Sequence, residues 1–333
     1  MKYKLKDYNT FNINATCRSL TICTSVDEIQ NCINNKDFRQ HPHLILGEGS
    51  NILYRKNFDG FILKPELKGI DKISESENNI TLKVFNGEIW DNLAQFCVKN
   101  HYYGIENLSL IPGNIGAATF QNIGAYGVEI QDIIQEVEAI NIESGDIEIF
   151  TKDQCNFNYR TSIFKNVLKD KYLIISTTFN LSKVFQPNLE YSGLREEIKD
   201  EKNLSAQTIR VAVIKLRKSK LPDTDEIGNA GSFFKNPIVT KQKFLELFSG
   251  FADLKYYQIP NDQYKIPAGW MIEKCGWKGK RIGNVGTYPK QALVIVNYGN
   301  ASGEDIYQFS QQIKNSVHKT FGIWLEEEVR IIP

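Results

Sequence analysis

One serine of the chain stands in a setting that favours chemistry. Ser232 lies in the stretch GNAGSFFKNP, residues 228–237, between a glycine and two phenylalanines. A serine that acts as a nucleophile needs a neighbouring base to activate it, but the chain has only 4 histidines and none of them lies near Ser232 in sequence. A serine in such a context is also a common turn or helix-cap residue. Taken alone, the stretch leaves open both a structural role and a chemical role that does not use histidine.

Two glycine-rich stretches in the first half of the chain have the composition of anion-binding loops. They are LGEGSNILY (46–54) and IPGNIGAATFQNIGAYGVEI (111–130). Glycine lets the main chain approach a phosphate and turn its N–H groups inward. Neither stretch reads G-x-G-x-x-G or G-x-x-x-x-G-K-[ST], so the Rossmann fingerprint and the P-loop are both absent. A nucleotide site and ordinary tight turns therefore remain alternatives. In the second stretch, Gln121, Asn122 and Tyr126 add hydrogen-bonding groups and a flat aromatic face.

Three further groups of charged residues have both a chemical and a structural interpretation. Arg160 follows a tyrosine, which is common for a stacked surface pair, but its planar guanidinium also suits a carboxylate ligand. The run 326–328 consists of glutamates and is typical of a solvated segment. Arg217 and Lys220 lie at the end of a predicted helix, where positive charge complements the helix dipole. The same two side chains are candidates for binding an anionic substrate.

The composition argues against several classes of protein. The 40 basic and 39 acidic side chains give a net charge of +1, which argues against a nucleic-acid-binding surface. The amino terminus has basic residues without an apolar run behind them, so we expect neither a signal peptide nor a membrane span. The 6 cysteines form no C-x-x-C pair, so we expect neither a zinc site nor a disulfide framework. These features indicate a cytoplasmic protein with reduced thiols and no metal.

The elements that must position these residues alternate without a regular rhythm, which favours an α+β fold. Alternating or β-branched runs predict strands at 20–23, 43–47, 60–64, 80–85, 133–142, 146–150, 172–179, 292–298 and 327–332. Apolar spacing and cap residues predict helices at 25–34, from 91 to about 100, at 205–220, 241–248 and 268–274, and after Ser302, where Asp305 follows three residues on. The segment 220–231 breaks all periodicity, so we place a domain boundary near Pro222.

The motifs together resemble the UDP-N-acetylenolpyruvoylglucosamine reductase family, flavoenzymes of bacterial cell-wall precursor synthesis. The resemblance runs nearly end to end. Its motifs are NTFNINATC (9–17), GEGSNIL (47–53), IPGNIGAATFQNIGAYG (111–127), YRTSIFK (159–165), KLPD (220–223), GNAGSFFKNP (228–237), AGWMIEKCGWKGKRIG (268–283) and LEEEVRII (325–332). Thr119 departs from the family, which commonly has a proline there. The segment 189–198 contains Tyr191 and resembles the family type that has a longer loop with a substrate-covering tyrosine.

The resemblance implies an FAD-binding fold of the vanillyl-alcohol-oxidase type with two subdomains, and an α+β substrate-binding domain. The implied domains are subdomain 1 at 1–64, completed by a strand at 322–333, subdomain 2 at 65–218, and the substrate domain at 219–321. FAD would be held non-covalently. The residues implied to hold it are Gly47, Glu48, Gly49, Ser50, Asn51, Gln121, Asn122, Gly124, Tyr126 and Gly127.

The implied reaction reduces an enolpyruvyl ether to a lactyl ether on a UDP-sugar, with NADPH as donor and FAD as carrier. Ser232 matches the family's proton donor, and Arg160 and Glu328 match the pair that stabilises the developing carboxylate charge. The residues implied to bind substrate are Tyr191, Arg217, Lys220, Asn236 and Gln291. The expected partners are the UDP-sugar and NADPH, with no nucleic acid or membrane, and the expected state is a monomer.

Two other functions remain as alternatives. An oxidase of the same fold commonly tethers FAD through a histidine in the first glycine loop, but Gly49-Ser50-Asn51 contains none. A sugar-nucleotide-binding protein that has lost its flavin would have no activity at all.

Overall fold

Helices and strands mix irregularly along residues 2–333, which are the residues that this computed structural model describes. The helices, in chain order, are α1 (Val26–Ile33), α2 (Lys36–Gln40), α3 (Trp90–Lys99), α4 (Ile115–Gln121), α5 (Ser192–Glu197), α6 (Ala206–Lys220), α7 (Lys241–Gly250), α8 (Ala268–Lys274) and α9 (Gly303–Phe321). The strands are β1 (Tyr3–Lys4), β2 (Thr16–Cys23), β3 (His43–Ile45), β4 (Ile52–Tyr54), β5 (Phe58–Pro65), β6 (Ile70–Glu75), β7 (Asn79–Phe85), β8 (Gly124–Ala125), β9 (Val128–Glu129), β10 (Ile134–Asn141), β11 (Ile147–Thr151), β12 (Tyr172–Ser182), β13 (Gly228–Ser232), β14 (Ile238–Thr240), β15 (Tyr257–Ile259), β16 (Gln263–Lys265), β17 (Arg281–Ile282), β18 (Val285–Tyr288), β19 (Gln291–Asn297) and β20 (Arg330–Ile332).

The chain divides into two compact units. Unit 1 contains residues 17–48 and 59–218 together with the first residues, through Tyr3. Unit 2 contains residues 4–16, 49–58 and 219–333. The domain boundaries expected at 64, 218 and 321 stay a prediction.

Unit 1 is built on a five-stranded antiparallel sheet in the order β11-β10-β12-β7-β6. Its largest core packs α3 and α4 with the sheet, because α3 places Trp90, Leu93 and Cys97 at helical spacing and buries all of them. The indole Nε1 of Trp90 donates to the carbonyl oxygen of Leu108 at 2.7 Å, so this buried polar atom is satisfied. A second core forms where α1 packs with β5, and it includes Ile29.

Unit 2 contains an antiparallel sheet in the order β13-β19-β18-β17, a smaller one in the order β14-β16-β15, and a parallel pair of β20 with β4. Its longest helix is α9. Ser302 caps α9 by accepting the N–H of Asp305, and the Asp305 side chain accepts the N–H of Ser302 in return. Gly322 ends α9 in the left-handed conformation, with φ of 66°.

The structure confirms the strongly periodic elements and corrects two expectations. Helices α1, α3, α6, α7, α8 and α9 lie within a few residues of the predicted bounds. The second glycine-rich stretch is not a continuous loop, because residues 115–121 form α4. Asn114 caps that helix, and burial of Ile115 and Ala118 stabilises it despite Gly116. The break at 220–231 is also shorter than expected, since β13 begins at Gly228.

None of the helices in the described part of the chain is long and apolar enough to cross a membrane. The 6 cysteines are all free thiols, and four of them are buried. No group of three or more His, Cys, Asp or Glu side chains within residues 2–333 is arranged to hold a metal ion.

Candidate active site

The two glycine-rich stretches meet at Gly47 in unit 1. A Cβ on Gly47 would lie 2.9 Å from Asn114 Oδ1 and 3.2 Å from the Cβ of Ala117, so a side chain does not fit there. Asn114 Oδ1 itself accepts the N–H of Ala117 at 3.0 Å and caps α4. Thr119, later in α4, shares a hydrogen bond with the hydroxyl of Thr177 at 2.7 Å. The main chain of the first stretch therefore packs directly on the first turn of α4.

Glu48 is held by a buried cation. Lys64 Nζ donates to Glu48 Oε1 at 3.0 Å and also contacts the carboxylate of Glu66. Only 7% of the Lys64 side chain is exposed. Burial alone would lower the pKa of Lys64, but hydrogen bonds to the two glutamates outweigh it and the pKa is raised. Lys64 is therefore charged and fixes the orientation of Glu48.

Asn122 organises the second stretch after α4. It ends the helix in the left-handed conformation, with φ of 49°. Its amide nitrogen donates to Glu129 Oε2 at 3.0 Å and to the Asn158 carbonyl at 2.9 Å, and its amide oxygen accepts the N–H of Gln131 at 3.1 Å. The neighbouring Gln121 donates to the Ala117 carbonyl at 3.3 Å. The side chain of Asn122 thus holds protein segments together.

Arg160 is fixed against the same stretch. Its Nη2 donates to the Gly124 carbonyl at 2.5 Å, and its Nη1 lies 3.8 Å from Glu129 Oε1. Its guanidinium carbon lies 5.1 Å from the centre of the Tyr159 ring. A Cβ on Gly124 would lie 2.9 Å from Arg160 Nη1 and 2.8 Å from Glu129 Cγ, so a larger residue at 124 would displace these side chains. Arg160 has a left-handed backbone, with φ of 55°.

Three of the predicted ligand-binding side chains cluster in unit 1. The rings of Tyr126 and Tyr191 meet edge to face, 5.0 Å apart. Arg217 interacts electrostatically with Tyr126, and its Nε donates to the Leu110 carbonyl at 3.1 Å. Burial raises the pKa of Tyr126 and lowers that of Arg217. The nearby Gly127 has φ of 85°, and a Cβ there would lie 2.9 Å from Asn188 Oδ1.

In unit 2, Ser232 ends β13 opposite Val294 of β19. The register shifts between Asn229 and Ser232, at the point where Gly231 adopts φ of 67°. Asn229 Oδ1 accepts the N–H of Gly231 at 3.0 Å and stabilises this irregularity. The bulge therefore sets the direction in which the strand presents Ser232.

Main-chain hydrogen bonds bring Glu328 next to Ser232 in the fold. The carbonyl of Phe233 accepts the N–H of Glu328 at 2.8 Å. The Asn51 amide donates to the Glu328 carbonyl at 3.1 Å, and the Asn51 carbonyl accepts the N–H of Arg330 at 3.0 Å. The segment around Glu328 is thus held on one side by residues after β13 and on the other by the first glycine stretch. Asn51 and Phe233, the residue that follows Ser232, therefore both bind the segment around Glu328.

The other two glutamates of the run, Glu326 and Glu327, form ion pairs with lysines. Glu326 is exposed and pairs with Lys235 at 3.2 Å. Glu327 pairs with Lys314 at 2.8 Å. Burial alone would raise the pKa of Glu327, but the hydrogen bond from Lys314 contributes to an overall decrease. Glu326 and Glu327 are thus each engaged by a lysine.

Gly49, in the first glycine-rich stretch, is tightly packed as well. Gly49 has φ of 68°, and a Cβ there would lie 2.1 Å from the Tyr8 carbonyl oxygen. The Gly49 carbonyl accepts the N–H of Thr10 at 3.1 Å. Ser50 lies between Gly49 and Asn51. Glycine is required at 49 by both its backbone conformation and its close packing.

Asn236 and Gln291 both lie at the first turn of α8. Asn236 Oδ1 accepts the N–H of Ala268 at 2.9 Å. Gln291 Oε1 lies 2.9 Å from the position of a Cβ on Gly269 and accepts the N–H of Leu293 at 3.4 Å. Lys220, the last residue of α6, is partly buried. The structure brings Asn236 and Gln291 together, which their separation in sequence did not indicate.

Sequence reasoning missed the charged residues that support the site. Lys64 and Arg210 are both buried, at 6% exposure each, and Asp91 was noted only as a helix start. In the sequence, each buried cation is marked by its place among apolar residues that face the core. Lys64 lies at the end of an apolar strand, and Arg210 follows the buried Ile209.

Comparison with known proteins gives matches over the whole chain. Residues 222–332 match a family model described as the C-terminal domain of UDP-N-acetylenolpyruvoylglucosamine reductase, and residues 18–151 match an FAD-binding domain. The reductase of Flavobacterium johnsoniae is 42% identical over 99% of this chain and 98% of its own. That of Amoebophilus asiaticus is 44% identical over 98% of this chain and 97% of its own. The crystal structure of the Thermus caldophilus reductase aligns with a TM-score of 0.69 and 20% identity, covering 100% of this chain and 98% of that one, and shows the same fold.

Proposed function

The chain belongs to the UDP-N-acetylenolpyruvoylglucosamine reductase family, and from this membership we propose that it reduces the enolpyruvyl ether of its UDP-sugar to UDP-N-acetylmuramate with NADPH. The protein is an FAD-dependent oxidoreductase. The predicted fold class, α+β with an FAD-binding fold of the vanillyl-alcohol-oxidase type, is confirmed. The product would enter peptidoglycan precursor synthesis.

The residues of unit 1 fit the chemistry of FAD. Close packing at Gly47 brings main-chain amides of the first glycine stretch to the first turn of α4, and such amides suit a pyrophosphate. Glu48, fixed by Lys64, offers a carboxylate acceptor for a hydroxyl group. We propose that Gly47, Glu48, Gly49, Ser50, Asn51, Gln121, Asn122, Gly124, Tyr126 and Gly127 hold the cofactor. When bound, FAD supplies the two-electron relay between NADPH and the substrate double bond.

Arg160 and Glu328 would stabilise the carboxylate charge that develops during reduction. The guanidinium of Arg160 is held by the Gly124 carbonyl and by Glu129, so its planar fork is oriented before substrate arrives. Such preorganisation is the usual source of electrostatic stabilisation in enzymes. Glu328 would share this role.

Ser232 would donate one proton to the substrate carbon that carries the negative charge. A hydroxyl is a weak acid, but a carbanion is a strong base, so transfer needs no histidine. The serine forms no covalent bond in this mechanism. The serine lies at the end of β13, and the main-chain carbonyl of the next residue, Phe233, accepts the N–H of Glu328. This position is the main support for the proposed role.

Tyr191, Arg217, Lys220, Asn236 and Gln291 would bind the rest of the substrate. The ring contact of Tyr191 with Tyr126, and the electrostatic interaction of Tyr126 with Arg217, support a joint role of these three side chains at an anionic, aromatic ligand. Lys220 and Arg217 supply positive charge for the diphosphate.

Anaerobic stopped-flow absorbance of the bound flavin tests the proposal. We expect NADPH to bleach the flavin and the enolpyruvyl UDP-sugar to restore its colour. Colour that does not return with this substrate would exclude the reductase function. Flavin that precipitates with acid-denatured protein would favour an oxidase with tethered FAD, and purified protein that takes up no FAD would favour a non-catalytic binding protein.

A further inference from the structure

A partly buried ion pair outside the predicted site joins two helices of unit 1. Asp91 lies in the first turn of α3 and Arg210 in the middle of α6. Arg210 Nη1 donates to Asp91 Oδ1 at 2.7 Å, and Nη2 donates to Oδ2 at 2.9 Å. Only 7% of the Arg210 side chain is exposed. A bidentate pair of this kind fixes both partners in one orientation.

The same carboxylate also holds a strained peptide. Asp91 Oδ1 accepts the N–H of Leu110 at 2.5 Å. Leu110 has φ of 58°, a left-handed conformation that a leucine adopts only where its surroundings compensate. The hydrogen bond from Leu110 to Asp91 is such a compensation, and Arg210 keeps the carboxylate in place to accept it.

The carbonyl of Leu110 in turn orients the side chain of Arg217. It accepts the Nε–H of Arg217 at 3.1 Å. The negative charge of Asp91 also attracts Arg217. With Nε held, the plane of the guanidinium is set, and this plane determines where its two terminal nitrogens can bind a phosphate in a bidentate manner.

We propose that Asp91 and Arg210 are positioning residues that orient Arg217 for the diphosphate of the substrate. The inference rests on the proposed function, in which Arg217 binds the UDP-sugar. The opposing possibility is that the network only steadies the chain leading from Leu110 into α4, which would affect FAD and not substrate.

Two double variants separate the contributions of the network. Asp91→Ala/Arg210→Met removes both charges and the acceptor for the Leu110 N–H. Asp91→Asn/Arg210→Met removes both charges but keeps an amide oxygen that can accept that N–H. Neither variant leaves Asp91 or Arg210 as an unpaired charge in the interior, which would by itself be strongly destabilising. Asp59→Asn serves as the matched control, because Asp59 pairs with Arg18 at 3.2 Å in an exposed position.

The measurements are KM and kcat for the enolpyruvyl UDP-sugar, the FAD content and the rate of flavin reduction by NADPH. We expect Asp91→Ala/Arg210→Met to raise KM by roughly 10- to 100-fold, since misplacing a binding group by about 1 Å has effects of this size. Asp91→Asn/Arg210→Met is expected to raise KM less. In both variants FAD content and flavin reduction should match the wild type, as they should in Asp59→Asn.

A cycle with Arg217→Lys tests whether the pair acts through Arg217. Arg217→Lys should raise KM in the wild type and add little in the Asp91→Ala/Arg210→Met background, because effects on one shared interaction are not additive. Additive effects, an unchanged KM, or loss of FAD with unchanged KM would each overturn the positioning role.

The outcome for the wild type keeps the two proposals apart. If the wild type turns over but the variants keep its KM, the positioning role fails and the reductase function stands. If the wild type does not turn over, the reductase function fails, and calorimetric binding of UDP to the wild type and the same variants decides the positioning role. Wild-type and variant proteins that bind UDP equally well, or a wild type that does not bind it, would contradict that role.

Discussion

The residues proposed for catalysis are held in different ways in the two units. In unit 1, Arg160 is fixed through its own side chain, by the Gly124 carbonyl, Glu129 and the ring of Tyr159. In unit 2, Ser232 and Glu328 are placed by main-chain hydrogen bonds, from β13 to β19 and from Glu328 to Phe233.

The difference predicts which substitutions each region tolerates. A residue that is fixed through its own side chain depends on the shape and charge of that side chain and of the groups it binds. A side chain held by main-chain pairing depends on the N–H and C=O groups of its neighbours and much less on their side chains. Unit 1 should therefore be sensitive to conservative side-chain changes, and unit 2 to proline.

Removal of the proposed proton donor should have the largest effect. Ser232→Ala deletes the hydroxyl without disturbing the main-chain pairing that places it. We expect reoxidation of the reduced flavin by substrate to slow by about 10²–10⁴-fold, as for other positioned acids, while bleaching by NADPH stays nearly unchanged. Stopped-flow absorbance separates the two steps. Equal losses in both would show that Ser232 has a structural role.

Arg160→Lys tests the proposed catalytic residue of unit 1, which is fixed through its own side chain. Lysine keeps the positive charge but lacks the planar fork that binds Gly124 and a carboxylate together. We expect reoxidation by substrate to slow by roughly 10²-fold, as when one preorganised donor is lost. Glu129→Gln, which removes the charge of the 3.8 Å ion pair to Arg160 and also changes the group that accepts from the Asn122 and Gln131 amides, should have a smaller effect. An Arg160→Lys enzyme with wild-type rates would mean that the fork geometry is not needed.

Substitutions of Lys235 test the main-chain-held region. The N–H of Lys235 donates to the Glu326 carbonyl at 2.9 Å, while its side chain only forms the pair with Glu326 near the surface. Lys235→Pro should lower the free energy of unfolding by about 1–3 kcal/mol, because it removes the donor and leaves the carbonyl unpaired. Lys235→Ala should cost less than about 1 kcal/mol, as expected for a surface ion pair. Urea denaturation measures both, and equal losses would refute main-chain control.

The ion pair of Asp91 predicts a pH dependence in unit 1. Burial alone would raise the pKa of Asp91, but the hydrogen bonds from Arg210 and the Leu110 N–H outweigh it and lower the pKa from its ordinary 3.8. A carboxyl whose pKa is lower in the folded state contributes stability above its ordinary pKa, and this contribution is lost as the pH falls through the folded value.

Urea denaturation of the wild type and Asp91→Asn across pH measures this contribution. We expect a difference in free energy of unfolding of roughly 3–5 kcal/mol near neutral pH, because Asp91→Asn leaves the buried guanidinium of Arg210 without its carboxylate. The difference should be constant down to about pH 4 and shrink below it. Asp59→Asn, at an exposed pair, should show little difference at any pH. A difference that persists unchanged into acid would contradict the assignment.

Local sequence signals, such as cap residues and apolar spacing, were sufficient to predict some helices but not others. α9 could be predicted because Ser302 and Asp305 form a capping box and its buried residues recur at helical spacing over 19 residues. α4 could not, because it has 7 residues, includes Gly116, and depends on burial of Ile115 in the core of unit 1.

The candidate site shows the same limit. The motifs identified its residues through family resemblance, but the partners of those residues depend on long-range contacts. Asp91 and Arg210 are 119 positions apart, and Asn51 and Glu328 are 277 apart. Neither the periodicity of apolar residues nor a helix-cap residue indicates a contact between residues so far apart in sequence. The charged residues that support the site are therefore recognised only in the folded chain.

The pairing at Phe233 has a consequence for the timing of activity during synthesis. Ser232 leaves the ribosome long before the segment around Glu328 has been translated, yet Phe233 and Asn51 both bind that late segment. A nascent chain can assemble the sheet of unit 1 early, because all five strands lie before residue 183. The segment that carries the proposed proton donor therefore stays without its partners until translation has passed Arg330.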